Sequence, residues 1–429
     1  MREDFLHYLW RLQRFDRTDL RTTEGDLLEI QQRGTMNTHA GPDFSDARVR
    51  IGNTRWAGNV EIHVRSAEWR RHRHQEDAAY DSVILHVVHT DDAPVYHRSG
   101  ARIPTLELKG RIPLELHRRY RRLIDNESWI PCAPLFPEVP ALTRNLWLDR
   151  LLVERLERKT ARIDDLLHQT QGDWEATAYR FLLRNIGLRV NTEAFALLAQ
   201  TTPLAVLRKQ QHSLEALEAL LFGQSGLLRD APADAYTERL RETYRHLRSK
   251  YGLTAMPVAA WKFLRLRPPN FPTLRIAQTA ALLHARLPLF QSLLTLDTAK
   301  AGEAFFHVAP STYWETHYKF GEAGNAQAKP IGAATARLLL INAVVPLLFA
   351  YGKRRGNEAY YERALQLLEA LPAERNAILR HWKALGVPVK SAHRSQALLQ
   401  LKNEYCTPKR CLECAIGHAV LKRGREADQ

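Results

Sequence analysis

Side chains able to do chemistry are densest between residues 37 and 97, where seven of the 18 histidines lie: His39, His63, His72, His74, His86, His89 and His97. Asp43 follows Gly41-Pro42, where a turn should meet a strand, and Glu61 falls in the next strand with His63 two residues on. The period-two alternation of a strand puts Glu61 and His63 on one face and Ile62 on the other. Carboxylates on neighbouring strands can share one divalent cation, and oxygen ligands suit Mg²⁺ or Mn²⁺. Such an ion polarises a phosphoryl oxygen and lowers the pKa of a bound water. A same-face His63 orients that water or meets developing negative charge. Asp43, Glu61 and His63 are therefore the expected catalytic residues, with Asp43 and Glu61 as metal ligands. The bland alternative is a Glu61 that faces solvent and pairs with an arginine.

Trp69-Arg-Arg-His-Arg-His carries a second set. A His-x-His pair with Asp43, Glu61 and His63 suits zinc or another transition metal. Arg70, Arg71 and Arg73 flank the pair and repel a second cation, so His72, His74, Arg71 and Arg73 are expected to grip phosphate instead.

Cys406, Cys411 and Cys414 crowd into nine residues as C-x₄-C-x₂-C, and the fourth cysteine is Cys132. That spacing matches plant-type [2Fe–2S] sites, which need a remote fourth cysteine. A structural zinc using His418 or Cys132 is equally compatible, and three reduced thiols are the bland alternative. Spacing alone leaves an iron–sulfur cluster and Zn²⁺ both open.

The elements that must position these groups change in texture along the 429 residues. A helical stripe at Glu3–Phe15 precedes short β-like runs at Leu27–Gln31, Ala47–Ile51, Asn59–Val64, Ser82–His89 and Ile103–Leu108, punctuated by glycines. Arg48 to Val64 reads as a hairpin with a Gly52-Asn53 turn, and Val83-Ile-Leu-His-Val-Val as a strand buried on both faces. A helix over Pro113–Asp125 closes a small α/β domain, residues 1–130. Four prolines mark residues 131–141 as a linker. Residues 142–400 have helical period almost throughout, and 401–429 form a Cys-rich C-terminal segment. The expected fold is thus multidomain, a small α/β domain followed by a large all-helical one.

Composition narrows the function. Hydrophobic residues are 45% and charged residues 25%, a globular balance. Lys+Arg number 62 against 47 Asp+Glu, a net charge of +15 whose field attracts polyanions; a GC-rich genome would also produce it. Ala334–Tyr351 is interrupted by Arg337 and Asn342 and reads as a buried helix rather than a membrane span. The acidic start Met1-Arg-Glu-Asp-Phe-Leu lacks a signal-peptide pattern, so a cytoplasmic protein without a membrane partner is expected. Arginines around Pro268-Pro269 read as an interhelix loop, and Trp314 and His317 as packing. No Walker A, Gly-x-Gly-x-x-Gly or Gly-x-Ser-x-Gly motif occurs.

Pro42-Asp43 followed by Glu61-Ile62-His63 resembles the signature of the PD-(D/E)xK phosphodiesterase superfamily, whose core is α-β-β-β-α-β. The resemblance implies Asp43 and Glu61 as metal ligands with the Ile62 carbonyl as a third, and His63 standing where that superfamily carries lysine. Gln75 and Tyr80 echo a motif that follows the lysine in some such nucleases, one residue further on. Some of these nucleases tie their domain ends with an iron–sulfur cluster, although there the lone cysteine precedes the nuclease motifs and Cys132 follows them. The run from Gly41 to Val88, with Arg267-Pro-Pro-Asn-Phe-Pro, Tyr313-Trp-Glu-Thr-His-Tyr and the cysteine segment, resembles a bacterial family of uncharacterised proteins over nearly the whole chain. The expected function is a metal-dependent phosphodiesterase, a nuclease acting on DNA or RNA. The alternatives are a non-catalytic nucleic-acid-binding or scaffold protein with a degenerate nuclease-like fold, and a zinc hydrolase of a small substrate.

Overall fold

Helix α1 (Glu3–Leu12) forms because Phe5, Leu6, Tyr8, Leu9 and Trp10 fall on one stripe, all buried, while Glu3 and Asp4 sit at the positive end of the helix dipole. Gln13, at φ 50°, ends it in a left-handed cap. There follow β1 (Leu28–Gln32), β2 (Thr35–Met36), β3 (Phe44–Ile51), β4 (Thr54–Arg65), α2 (Glu68–Arg71), β5 (Val83–Thr90), β6 (Thr105–Glu107) and α3 (Leu114–Asp125). The sheet order is β1-β3-β4-β5-β6, with β2 paired to β3. The β1, β3 and β4 neighbours are antiparallel, and β4, β5 and β6 are parallel. The computed structural model describes residues 1–37 and 39–422.

Turn chemistry sets the β3–β4 hairpin. Ile51 pairs with Thr54 across the two-residue Gly52-Asn53 turn, and Gly52 takes φ 55°. The six residues Val83–Val88 are all buried, as a strand covered on both faces requires. Where β4 meets β5, Gly58 is obligatory in size: a Cβ there would stand 2.5 Å from both the Ser82 carbonyl oxygen and Ile84 Cγ2.

The chain divides into two compact units, Met1–Trp147 with Lys402–Gln429, and Leu148–Leu401. The Pro-rich stretch expected as a linker is an ordered part of the first unit, with a 3₁₀ turn over Ala133–Glu138. The cysteine segment also belongs to that unit. Its last helix, Ala415–Lys422, packs on α3, and Arg11 of α1 donates to the Leu412 carbonyl at 2.8 Å.

The second unit is helical, and its caps are local in sequence. Asp234 closes a capping box at the helix Ala235–Tyr251, and Asp173 accepts from the Glu175 and Ala176 amides at the helix Trp174–Ile186. The buried helix expected at Ala334–Tyr351 is present and a few residues longer. Ala333–Arg355 is one continuous 23-residue helix, long and apolar enough to cross a membrane, and 67% of its apolar window is buried inside the protein. Pro346 lacks an N–H to return to the preceding turn, and the helix widens to a π turn over Leu340–Val344.

Candidate metal centre

Strand register assembles the site. Phe44 of β3 pairs with Val60 of β4, which sets Asp43 opposite Glu61. The ladder then shifts between Phe44 and Ala47, with Asp46 at φ 59°, a bulge of the kind that re-aims a neighbouring side chain. The Asp43 amide donates to Glu61 Oε2 at 3.1 Å, and Asp43 Oδ2 accepts from the Ile62 amide at 2.9 Å. The two carboxylates are therefore cross-braced, Glu61 by the Asp43 amide and Asp43 by the amide of Ile62, the residue after Glu61. Asn37 holds the approach, donating from Nδ2 to the Pro42 carbonyl at 3.1 Å.

Glu61 and His63 share a face of β4, and the parallel ladder pairs Glu61 with His86 of β5 on that face. His63 Nδ1 lies 2.8 Å from His86 Nε2, and His63 Nε2 lies 3.2 Å from His72 Nδ1 and 3.6 Å from Glu61 Oε1. His74 Nε2 is 3.4 Å from Glu61 Oε1, buried, and without a hydrogen-bond partner among the described residues. The left-handed Arg73, at φ 61°, turns the chain so that both flanking histidines face His63. Trp69, buried to 1% exposure, walls the cluster, with ring centroids 5.3 Å from His74 and 5.5 Å from His86. Tyr80 stacks on His74 at 3.8 Å.

Among the described residues, His63, His72 and His74 are the set of three whose ligand atoms all lie within 4.8 Å of one another. Metal–nitrogen bonds of ~2.0–2.1 Å put tetrahedral ligands ~3.3 Å apart, close to the separations found here. Burial, reinforced by the other imidazoles, pushes His63 down to about 2 and His86 to about 3. The rings are thus neutral and keep lone pairs for a metal. Burial first, then the Asp43 charge, pushes the Glu61 carboxyl up to about 9. A buried carboxyl crowded by a second carboxylate and by neutral imidazoles is a site that a cation would relieve.

The residues expected from sequence divide. Asp43, Glu61 and His63 meet. His72 and His74, expected at phosphate, have nitrogens that converge on His63 and Glu61 instead. Arg71 is exposed and pairs with Glu68 at 2.7 Å, and Arg73 is exposed on the turn. Two partners were missed by sequence reasoning. His7 of α1 places Nε2 3.2 Å from Asp43 Oδ2, and Glu3, one helical turn earlier, lies near enough to feel His7, Asp43 and His72. Their i, i+4 spacing was the available signal. His86, already among the seven histidines of this stretch, was marked by its place inside the buried run Val83–Val88.

No curated protein matches the chain, and no solved structure does. One family model does match, over residues 3–377, described as protein of unknown function (DUF2851), and the chain belongs to that family.

Proposed function

We propose that the Asp43–Glu61–histidine cluster is a metal-dependent hydrolytic centre for phosphodiesters, and that the protein is a nuclease. The observation that carries the reading is the convergence of Glu61, Asp43, His63, His72 and His74 at one place on the sheet. The mixed oxygen and imidazole donors suit Mn²⁺ or Zn²⁺ better than the Mg²⁺ that two carboxylates alone would take. His63, His72, His74 and Glu61 would hold the ion, which supplies phosphoryl polarisation and a water of lowered pKa. Asp43 braces Glu61 and offers a further carboxylate oxygen. His86 fixes which His63 nitrogen faces the cluster. The resemblance of Pro42-Asp43 and Glu61-Ile62-His63 to the PD-(D/E)xK signature supports the same two acids as metal ligands. The net charge of +15 favours a polyanionic substrate. His63 in place of lysine favours a second reading, a nucleic-acid binder without turnover.

Incubation of the full chain with labelled DNA and RNA in Mn²⁺, Zn²⁺ or Mg²⁺ tests this. Cleavage that needs metal and disappears in Asp43→Ala and His74→Ala, both still folded by circular dichroism, is the expected result. Cleavage retained in Asp43→Ala refutes the assignment. Salt-dependent binding of nucleic acid without Mn²⁺ or Zn²⁺ affinity identifies the binder.

A further inference from the structure

A second cluster lies in the same unit and is independent of the reading above. Cys132, Cys406, Cys411 and Cys414 are all buried, each no more than 8% exposed, and all are free thiols. Two lysines bring the distant segments together. Lys402 donates to the Trp129 carbonyl at 2.8 Å, and Lys409 to the Ile124 carbonyl at 2.6 Å, bracketing the stretch that leads into Cys132. Asn126 donates to the Pro131 carbonyl at 2.7 Å and shapes the turn before it. Lys409, at φ 56°, sends the chain from Cys406 back toward Cys411, and its amide bonds the Cys406 carbonyl at 3.2 Å.

Cys132, Cys411 and Cys414 all lie within electrostatic reach of Cys406, and Cys411 and Cys414 within reach of Cys132. The backbone N–H groups of Ile416 and Gly417 point at the Cys414 sulfur. Gly417 has no side-chain alternative, because a Cβ would fall within 2.1 Å of the Cys411 carbonyl oxygen. Four buried thiols with amides aimed at one of them are a good set of soft ligands.

We propose that Cys132, Cys406, Cys411 and Cys414 ligate an iron–sulfur cluster that joins the end of the first α/β segment to the C-terminal segment. The spread of the sulfurs selects a cluster over a single zinc. Zinc–sulfur bonds of ~2.3 Å force all four sulfurs to ~3.8 Å of one another. Among the described residues no three cysteine sulfurs lie within 4.8 Å, a closeness that only the three imidazoles reach. In a cluster the four cysteines are divided among two or four irons, so all four do not crowd round one ion and the set stands wider. The centre would close a loop from Cys132 to Cys406, so cluster binding adds to the stability of this unit.

The test is elemental and sulfide analysis, with a visible spectrum, of the full chain purified without oxygen from iron-supplemented cells. Iron and acid-labile sulfide with broad visible absorption are expected, and their loss in Cys132→Ser and in Cys414→Ser. If those variants do not fold, anaerobic reconstitution of the metal-free wild type with ferrous iron and sulfide gives the same readout. The His74→Ala variant should keep its cluster, which separates this site from the histidine centre. Zinc without sulfide, or a wild type that takes up no iron after reconstitution, overturns the proposal.

Discussion

Glu218 makes the stability of the helical unit depend on pH. It lies on the helix Leu214–Gln224, is 1% exposed, and accepts hydrogen bonds from the Tyr236 hydroxyl at 2.9 Å and the Ser311 hydroxyl at 2.8 Å. Burial pushes its carboxyl from 4.5 up to about 7 despite both donors. Between those values the folded protein holds a proton that the unfolded chain has released. The contribution is complete below the unfolded value and is lost as pH rises through the folded one. At ~1.36 kcal/mol per pH unit, a rise of ~2.5 units weakens the fold by about 3 kcal/mol on passing from about pH 4.5 to about pH 8. Glu218→Gln keeps the volume and an acceptor oxygen but cannot ionise. Urea unfolding of wild type and variant across that range should show the variant gaining about 3 kcal/mol relative to wild type at the alkaline end. Parallel stability curves for the two proteins would show that Glu218 is not held protonated by burial, and the reasoning would fail.

Other outcomes follow from single contacts. Gly58→Ala forces its new methyl against the Ser82 carbonyl and Ile84, so urea unfolding should register a loss of about 1–3 kcal/mol. The same strand shift should weaken Mn²⁺ binding, read by isothermal titration. Burial pushes Lys159 down to about 7 while its ammonium contacts Asn342 at 3.0 Å and Gln396 at 3.2 Å. Unfolded chains bind more protons than folded ones between about pH 7 and 10.5, so stability should rise with pH there, and Lys159→Met should flatten that slope in urea titrations.

Much of the architecture was legible in particular residues. Gly52-Asn53 announced a two-residue hairpin, and the unbroken apolar run at Val83 announced a central strand. The helices Trp174–Ile186 and Ala235–Tyr251 begin and end where their caps and periodicity place them. These signals are readable because caps, turns and alternation are local. Ala334–Tyr351 was legible as a buried helix despite Arg337 and Asn342, and the structure extends it by a few residues to Ala333–Arg355.

Residue types and spacing alone marked Asp43, Glu61 and His63 as a set, because strand alternation is a property of the chain. They also marked the three C-terminal cysteines. Tertiary structure decided what faces what. The Phe44–Val60 register set Asp43 against Glu61, the parallel register brought His86 behind His63, and the left-handed Arg73 turned His72 and His74 inward. α1 delivered His7 from a point 36 residues away in sequence from Asp43. Lys402 and Lys409 carried the cysteine segment to the stretch before Cys132. Pairings between distant segments depend on register and on which faces bury against each other, and no window of neighbouring residues contains that information.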